Sequence, residues 1–226
     1  MHPLHRQTKP KSRRRGQSFV EVAIFLPILL ILLSGLVEFG FMLNEYLNLL
    51  DGPREAARLA VDFSPRTNLN HDDPIFYESV GLEAITAVNP ITLNAATDDV
   101  VISVFGLTGN TVTNRYPTEG GVSSVNGQWS LQYWCANYLE TTTEVGALLA
   151  PKCAGFTGSF HTSRFSNAGV ENLVSGMDTV NMGVVLVEVF YSYHMALALP
   201  WITVFVPNPM PVSSYTIMPL PAAEPH

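Results

Sequence analysis

The chain has 226 residues, with 12 Lys and Arg against 19 Asp and Glu, a formal charge of −7 and only 14% charged residues. That length favours one moderate domain with an appendage over two large domains. An apolar content of 47% and a mean hydropathy of +0.19 argue against a disordered chain and a basic nucleic-acid binder.

The charge is segregated along the chain. Arg6, Lys9, Lys11, Arg13, Arg14 and Arg15 all precede Gly16 with no acid among them, which leaves six cations against 19 acids, −13, from Gln17 onward. Behind this leader, Val22 to Val37 reads VAIFLPILLILLSGLV without a charge, and the apolar stretch extends from Phe19 to Leu43 if Glu21 and Glu38 are tolerated. At about 1.5 Å per residue that stretch reaches ~37 Å, enough to cross a hydrocarbon core of ~30 Å. Pro27 removes one hydrogen bond but does not veto a membrane helix.

The spacing predicts a cytoplasmic leader over 1–16, a transmembrane helix over 17–43 and a helical continuation over 44–61. An extracytoplasmic body follows over 62–206, with a Pro-rich tail over 207–226. Arg13, Arg14 and Arg15 hold the leader inside by the positive-inside rule. A cleaved secretory signal would need small residues after the apolar run, and GLVEFGFMLNEYL offers none in the required spacing.

Arg13-Arg14-Arg15-Gly16-Gln17-Ser18-Phe19-Val20-Glu21, continued by Val22-Ala23-Ile24-Phe25-Leu26-Pro27, resembles a type IV prepilin leader. The resemblance implies a cut between Gly16 and Gln17 by a membrane prepilin peptidase, with Glu21 as the fifth mature residue. Glycine lets a protease approach the scissile backbone closely. A carboxylate carried unpaired to mid-bilayer costs ~2.5–3.5 kcal/mol, so Glu21 invites a cation. The new α-amine at Gln17, on the same copy or a neighbour, supplies one; alternatively Glu21 snorkels to the headgroups.

Glu38-Phe39-Gly40 and Arg54-Glu55-Ala56-Ala57-Arg58-Leu59-Ala60 are similar to the TadE-like family, the minor pseudopilins of tight-adherence (Flp) pilus systems. The likeness covers about residues 13–61, more weakly a terminal strand, and says little about 62–180. It implies an α+β, pilin-like fold whose partners are the membrane, the peptidase, other pilins or pseudopilins, and an assembly platform. Asp51-Gly52-Pro53 departs from a continuous helix: Gly and Pro together cost on the order of 4 kcal/mol, so a break is expected there, with Asp51 capping a new segment. Glu38, on the same helical face as Glu45, is expected at a solvated outer rim.

In the body, Asp73-Pro74 opens a capped helix ended by Asn89-Pro90, and Val100–Leu107 reads as a strand followed by turn chemistry at Gly109-Asn110. Residues 108–127 suggest an exposed loop or irregular hairpins, and a helix is possible around 136–149. Gly183–Tyr193 alternates as a strand buried mainly on one side. Met195–Val206 is apolar but interrupted by Pro200; it rests on the membrane surface, the sheet or a partner subunit, and the tail beyond Pro207 is extended or frayed. Cys135 and Cys153 are the only cysteines and can pair outside the cell; the alternatives are two inert thiols or a metal pair, the last unsupported by C-x-x-C or nearby His.

The six histidines are dispersed, and no nucleophile elbow, phosphate loop or H-E-x-x-H occurs. His71-Asp72-Asp73 and Asp98-Asp99 could be drawn as a hydrolytic or calcium site, but caps and strand starts account for them better. No enzyme, cofactor, metal or nucleic-acid partner is therefore expected. The rival reading is an unprocessed, single-pass anchored extracytoplasmic binding domain; a tethered hydrolase is weaker still.

Overall fold

The computed structural model describes residues 17–67, 71–118, 124–137, 143–176 and 181–224. A 45-residue helix, α1 (Gln17–Val61), leads into a body with strands β1 (Arg66–Thr67) and β2 (His71–Asp72) and helix α2 (Pro74–Ala87). Then come β3 (Asp99–Thr108), β4 (Thr111–Tyr116), β5 (Ser124–Val125), β6 (Gln128–Ser130), α3 (Leu131–Asn137), α4 (Glu144–Leu149) and α5 (Asn167–Val174). β7 (Asn181–Tyr193), α6 (Pro200–Thr203) and β8 (Met210–Pro219) complete the fold, which is α+β as expected.

All pairings in the main sheet are antiparallel, in the order β5-β6-β3-β7-β8, with β4 also paired to β3. α1 and α2 cover one face, where Leu49, Ala56, Ala57 and Ala60 meet Phe76, Val80 and Ala84 over Val100, Ile102, Val185, Val187 and Val189. The period-two alternation of β3 and β7 supplies that apolar face. The opposite face is also covered: Phe105, Leu107, Val184 and Leu186 pack with Val170 and Val174 of α5. β7 is thus buried on both sides, not mainly on one, because α5 closes the second layer.

Asp73 caps α2, its carboxylate accepting from the Ile75 amide at 3.0 Å with Pro74 in the first turn, as the Asp-Pro pair predicts. No break occurs at Asp51-Gly52-Pro53: all three lie inside α1, and Asp51 is exposed mid-helix rather than a cap. The reason is a close crossing. A Cβ on Gly52 would stand 2.4 Å from Val88 Cγ1 and 3.1 Å from the Ala84 carbonyl oxygen, so glycine lets α1 and α2 approach. Buried contact there outweighs the local propensity penalty.

Gly109, at φ +59°, turns β3 into β4, which makes an ordered hairpin of the first part of a stretch expected to be irregular. The helix expected around 136–149 is divided into α3, which starts earlier, and α4; residues 138–142 lie outside the described set. Cys135 and Cys153 form a disulfide with Cα atoms 5.2 Å apart, tying α3 to the turn after α4. The segment after Pro207 is extended but not frayed: β8 pairs with β7 from Val184↔Pro219 to Tyr193↔Met210 and belongs to the body's sheet.

Candidate functional site on the long helix

α1 is two objects in one helix. Residues 19–33 are exposed without interruption, including Phe25, Leu29 and Leu33, whereas from Ser34 onward one stripe is covered by the body. This is the one described helix long and apolar enough to cross a membrane, with a mean hydropathy of 2.6 in its most apolar window and none of that window buried. Glu21 lies in the bare half and is exposed. α1 begins at Gln17; Arg13, Arg14, Arg15 and Gly16 lie outside the described residues.

The covered stripe starts with a hydrogen-bonded clamp. Glu38 Oε1 accepts from the Tyr193 hydroxyl and the Ala196 amide, each at 2.8 Å, and Oε2 accepts from the Leu197 amide at 2.8 Å. About two helical turns further, Glu45 Oε2 accepts from the Tyr191 hydroxyl at 2.8 Å. Ser214 Oγ donates to the Leu49 carbonyl at 2.8 Å, and the Trp201 indole donates to Ser34 Oγ at 3.2 Å. Ser34, Glu38, Glu45 and Leu49 recur at four, seven and four residues, so they share one face of a helix with 3.6 residues per turn.

Glu38 is therefore not a solvated rim residue; it is 5% exposed, enclosed by β7 and the loop after it. The shared face with Glu45 was legible in the spacing, but the enclosure was not. Tyr191 and Tyr193 are alternate residues of β7 and so point the same way, which is what brings both hydroxyls to α1. Burial, and then the adjoining carboxylates, push both tyrosines well above their usual pKa, so they remain donors at neutral pH. An apolar cavity of about 210 Å³ adjoins the clamp, lined among others by Gly35, Phe39, Met42, Met195, Ile202 and Val206.

The aspartates that could have suggested hydrolysis serve the fold. Asp98 Oδ1 accepts from the Ser192 amide at 2.8 Å and Oδ2 from the Asn94 amide at 2.7 Å. Asp99 accepts from the Gln132 amide, the Ser130 hydroxyl and the His161 amide at 3.0, 2.8 and 2.8 Å, pinning the end of β6, the start of α3 and the loop at His161 to the start of β3. Burial outweighs these donors and pushes the Asp99 carboxyl up to about 6. Asp72 accepts from the Thr118 amide and hydroxyl, both at 2.7 Å. Among the described residues, no group of three His, Cys, Asp or Glu side chains is placed to hold a metal ion.

The model of the TadE-like protein family matches residues 16–58. This TadE-like segment includes Gly16, Glu21, Glu38, Gly40 and the Arg54–Arg58 run, and it ends within α1. It links the long helix to a structural, pilus-associated family. No curated protein and no solved structure matches the chain.

Proposed function

We propose that this chain is a minor pseudopilin of a Tad-type pilus or a related secretion apparatus. A prepilin peptidase cuts it between Gly16 and Gln17, and α1 keeps it in the membrane with its N-terminus cytoplasmic and its body outside. The observation that carries the reading is the coincidence of the family match over 16–58 with a helix whose residues 19–33 are bare. So much exposed apolar surface requires lipid or other helices around it. Glu21 lies on that bare half, about 100° round the helix from the Glu38 stripe, and is open to the α-amine of a neighbouring processed copy. Pairing there would make assembly conditional on cleavage.

The test is the intact mass and N-terminal sequence of the native protein purified from membranes. A chain beginning at Gln17 and retaining α1 supports the proposal. A retained Arg13–Arg15 leader favours an unprocessed anchored binding domain, and loss of α1 rules out both. In a strain that makes the fibre, substitution of Gly16 should block cleavage, whereas Glu21→Gln should be cleaved without assembling; normal fibres from both would defeat the reading.

A further inference from the structure

We propose that the loop Leu197–Val206 is a second membrane contact, a monotopic wedge that enters the acyl-chain boundary of the outer leaflet beside α1. It rests on α1 being the span described above. Three of its large side chains face outward: Trp201, Val204 and Phe205 are 43%, 76% and 85% exposed.

The depth of the wedge follows from its attachment. Trp201 donates to Ser34 Oγ, and Ser34 lies inside the uncharged run Val22–Val37. With Glu21 at the inner boundary, Ser34 stands about 20 Å along the helix, about 10 Å short of the far side of a ~30 Å hydrocarbon core. That agrees with the ~5–10 Å insertion of interfacial segments. The Trp201 ring is held at that depth on the same face that carries Glu38.

The wedge also meets the two conditions for entering lipid. From Val189 to Ala223 the sequence contains no Asp, Glu, Lys or Arg, although the chain beyond Gly16 is strongly acidic. Most of its backbone amides are occupied within the protein: those of Ile202 and Thr203 donate to Leu199, Val204 to Pro200, and Phe205 and Val206 to Ile202. Ala196 and Leu197 donate to Glu38, and Met195 donates to Asn208 Oδ1. Satisfied amides are what a backbone outside a regular span needs in hydrocarbon. On this view the Glu38 cage is part of the same device, because at the depth of the wedge a bare carboxylate would face acyl chains.

The full chain reconstituted in phosphatidylcholine vesicles tests this with its own fluorophore. Trp129 and Trp134 are buried, so the difference between the native chain and Trp201→Leu isolates Trp201. Leu30→Trp in the Trp201→Leu background reports on the span. Lipids brominated near the headgroup should quench most of the Trp201 emission, lipids brominated near the chain end less, and aqueous acrylamide should hardly reach it. Quenching of the Leu30→Trp reporter without quenching of Trp201 overturns the wedge and leaves the span, whether Trp201 is then open to acrylamide or shielded by a second copy. If neither reporter is quenched, both readings fall. A Val204→Glu, Phe205→Glu double variant, altering two of the most exposed side chains, should shift Trp201 emission to the red and abolish its quenching by the lipid; unchanged quenching would equally overturn the wedge.

Discussion

Tyr193 and Glu38 are 155 positions apart in sequence, and their side chains meet at 2.8 Å, joining the end of β7 to the middle of α1. The same carboxylate also holds the amides of Ala196 and Leu197. Tyr193→Phe should therefore cost about 1.5 kcal/mol, within the range for a hydrogen bond to a charged group. Glu38→Ala strands three donors and should cost on the order of 3 kcal/mol, with faster proteolysis around residues 194–199. Urea unfolding in micelles and a double-mutant cycle measure both; additive effects would show that the pair is not coupled.

Gly52 and Gly40 provide a paired prediction, since both are helical glycines with different surroundings. Gly52→Ala drives a methyl against Val88 and the Ala84 carbonyl, and should destabilise by about 1–3 kcal/mol. Gly40 has nothing within 4 Å of its would-be Cβ, so Gly40→Ala should be neutral or stabilising by up to ~1 kcal/mol. If Gly40→Ala nonetheless blocks assembly while melting normally, the space above Gly40 is occupied by another subunit.

These two glycines show what the sequence could and could not reveal. Apolar length and the basic leader made α1 legible, and period-two alternation made β3 and β7 legible, because burial writes itself into residue order. The break expected at Asp51-Gly52-Pro53 failed because propensity is a local quantity, while the need for Gly52 comes from Val88, 36 positions away. The expectation for Glu38 failed for the same reason: its donors come from the end of β7 and the loop after it, more than 150 residues later. A sharper signal was present in Tyr191 and Tyr193, polar-tipped aromatics on one face of an otherwise apolar strand, which needed acceptors somewhere.

Asp99 gives the body a pH signature. Its folded carboxyl, pushed up from 3.8 to about 6, holds a proton that the unfolded chain has already shed between those values. Its contribution to stability is therefore full below pH ~4 and lost as the pH rises to ~6, with a slope of at most about 1.4 kcal/mol per pH unit. Asp99→Asn should remove that slope while lowering stability overall, because one of the three donors from residues 130, 132 and 161 loses its acceptor. Urea midpoints across this window decide the matter; an unchanged slope in the variant would exclude Asp99 as its source.

The Cys135–Cys153 bond spans a sequence separation of 18 residues, so reduction should lower stability by about 3 kcal/mol through the greater freedom of the unfolded chain. Thermal unfolding with and without reductant measures it. The Cys135→Ser, Cys153→Ser double variant should melt like the reduced protein and no longer respond to reductant. A melting temperature indifferent to reductant in the native chain would mean that the bridge adds nothing.

The place of β8 in the sheet fixes the order of events during biogenesis. β7 stays open along one edge until Met210–Pro219 arrives, and α1 waits for Ser214 to reach the Leu49 carbonyl. The N-terminal rod is thus made long before the ribbon that locks the head onto it. A truncation before Met210 would therefore leave β7 with an unzipped margin and the Leu49 carbonyl without its Ser214 donor, a head that quality-control proteases can find.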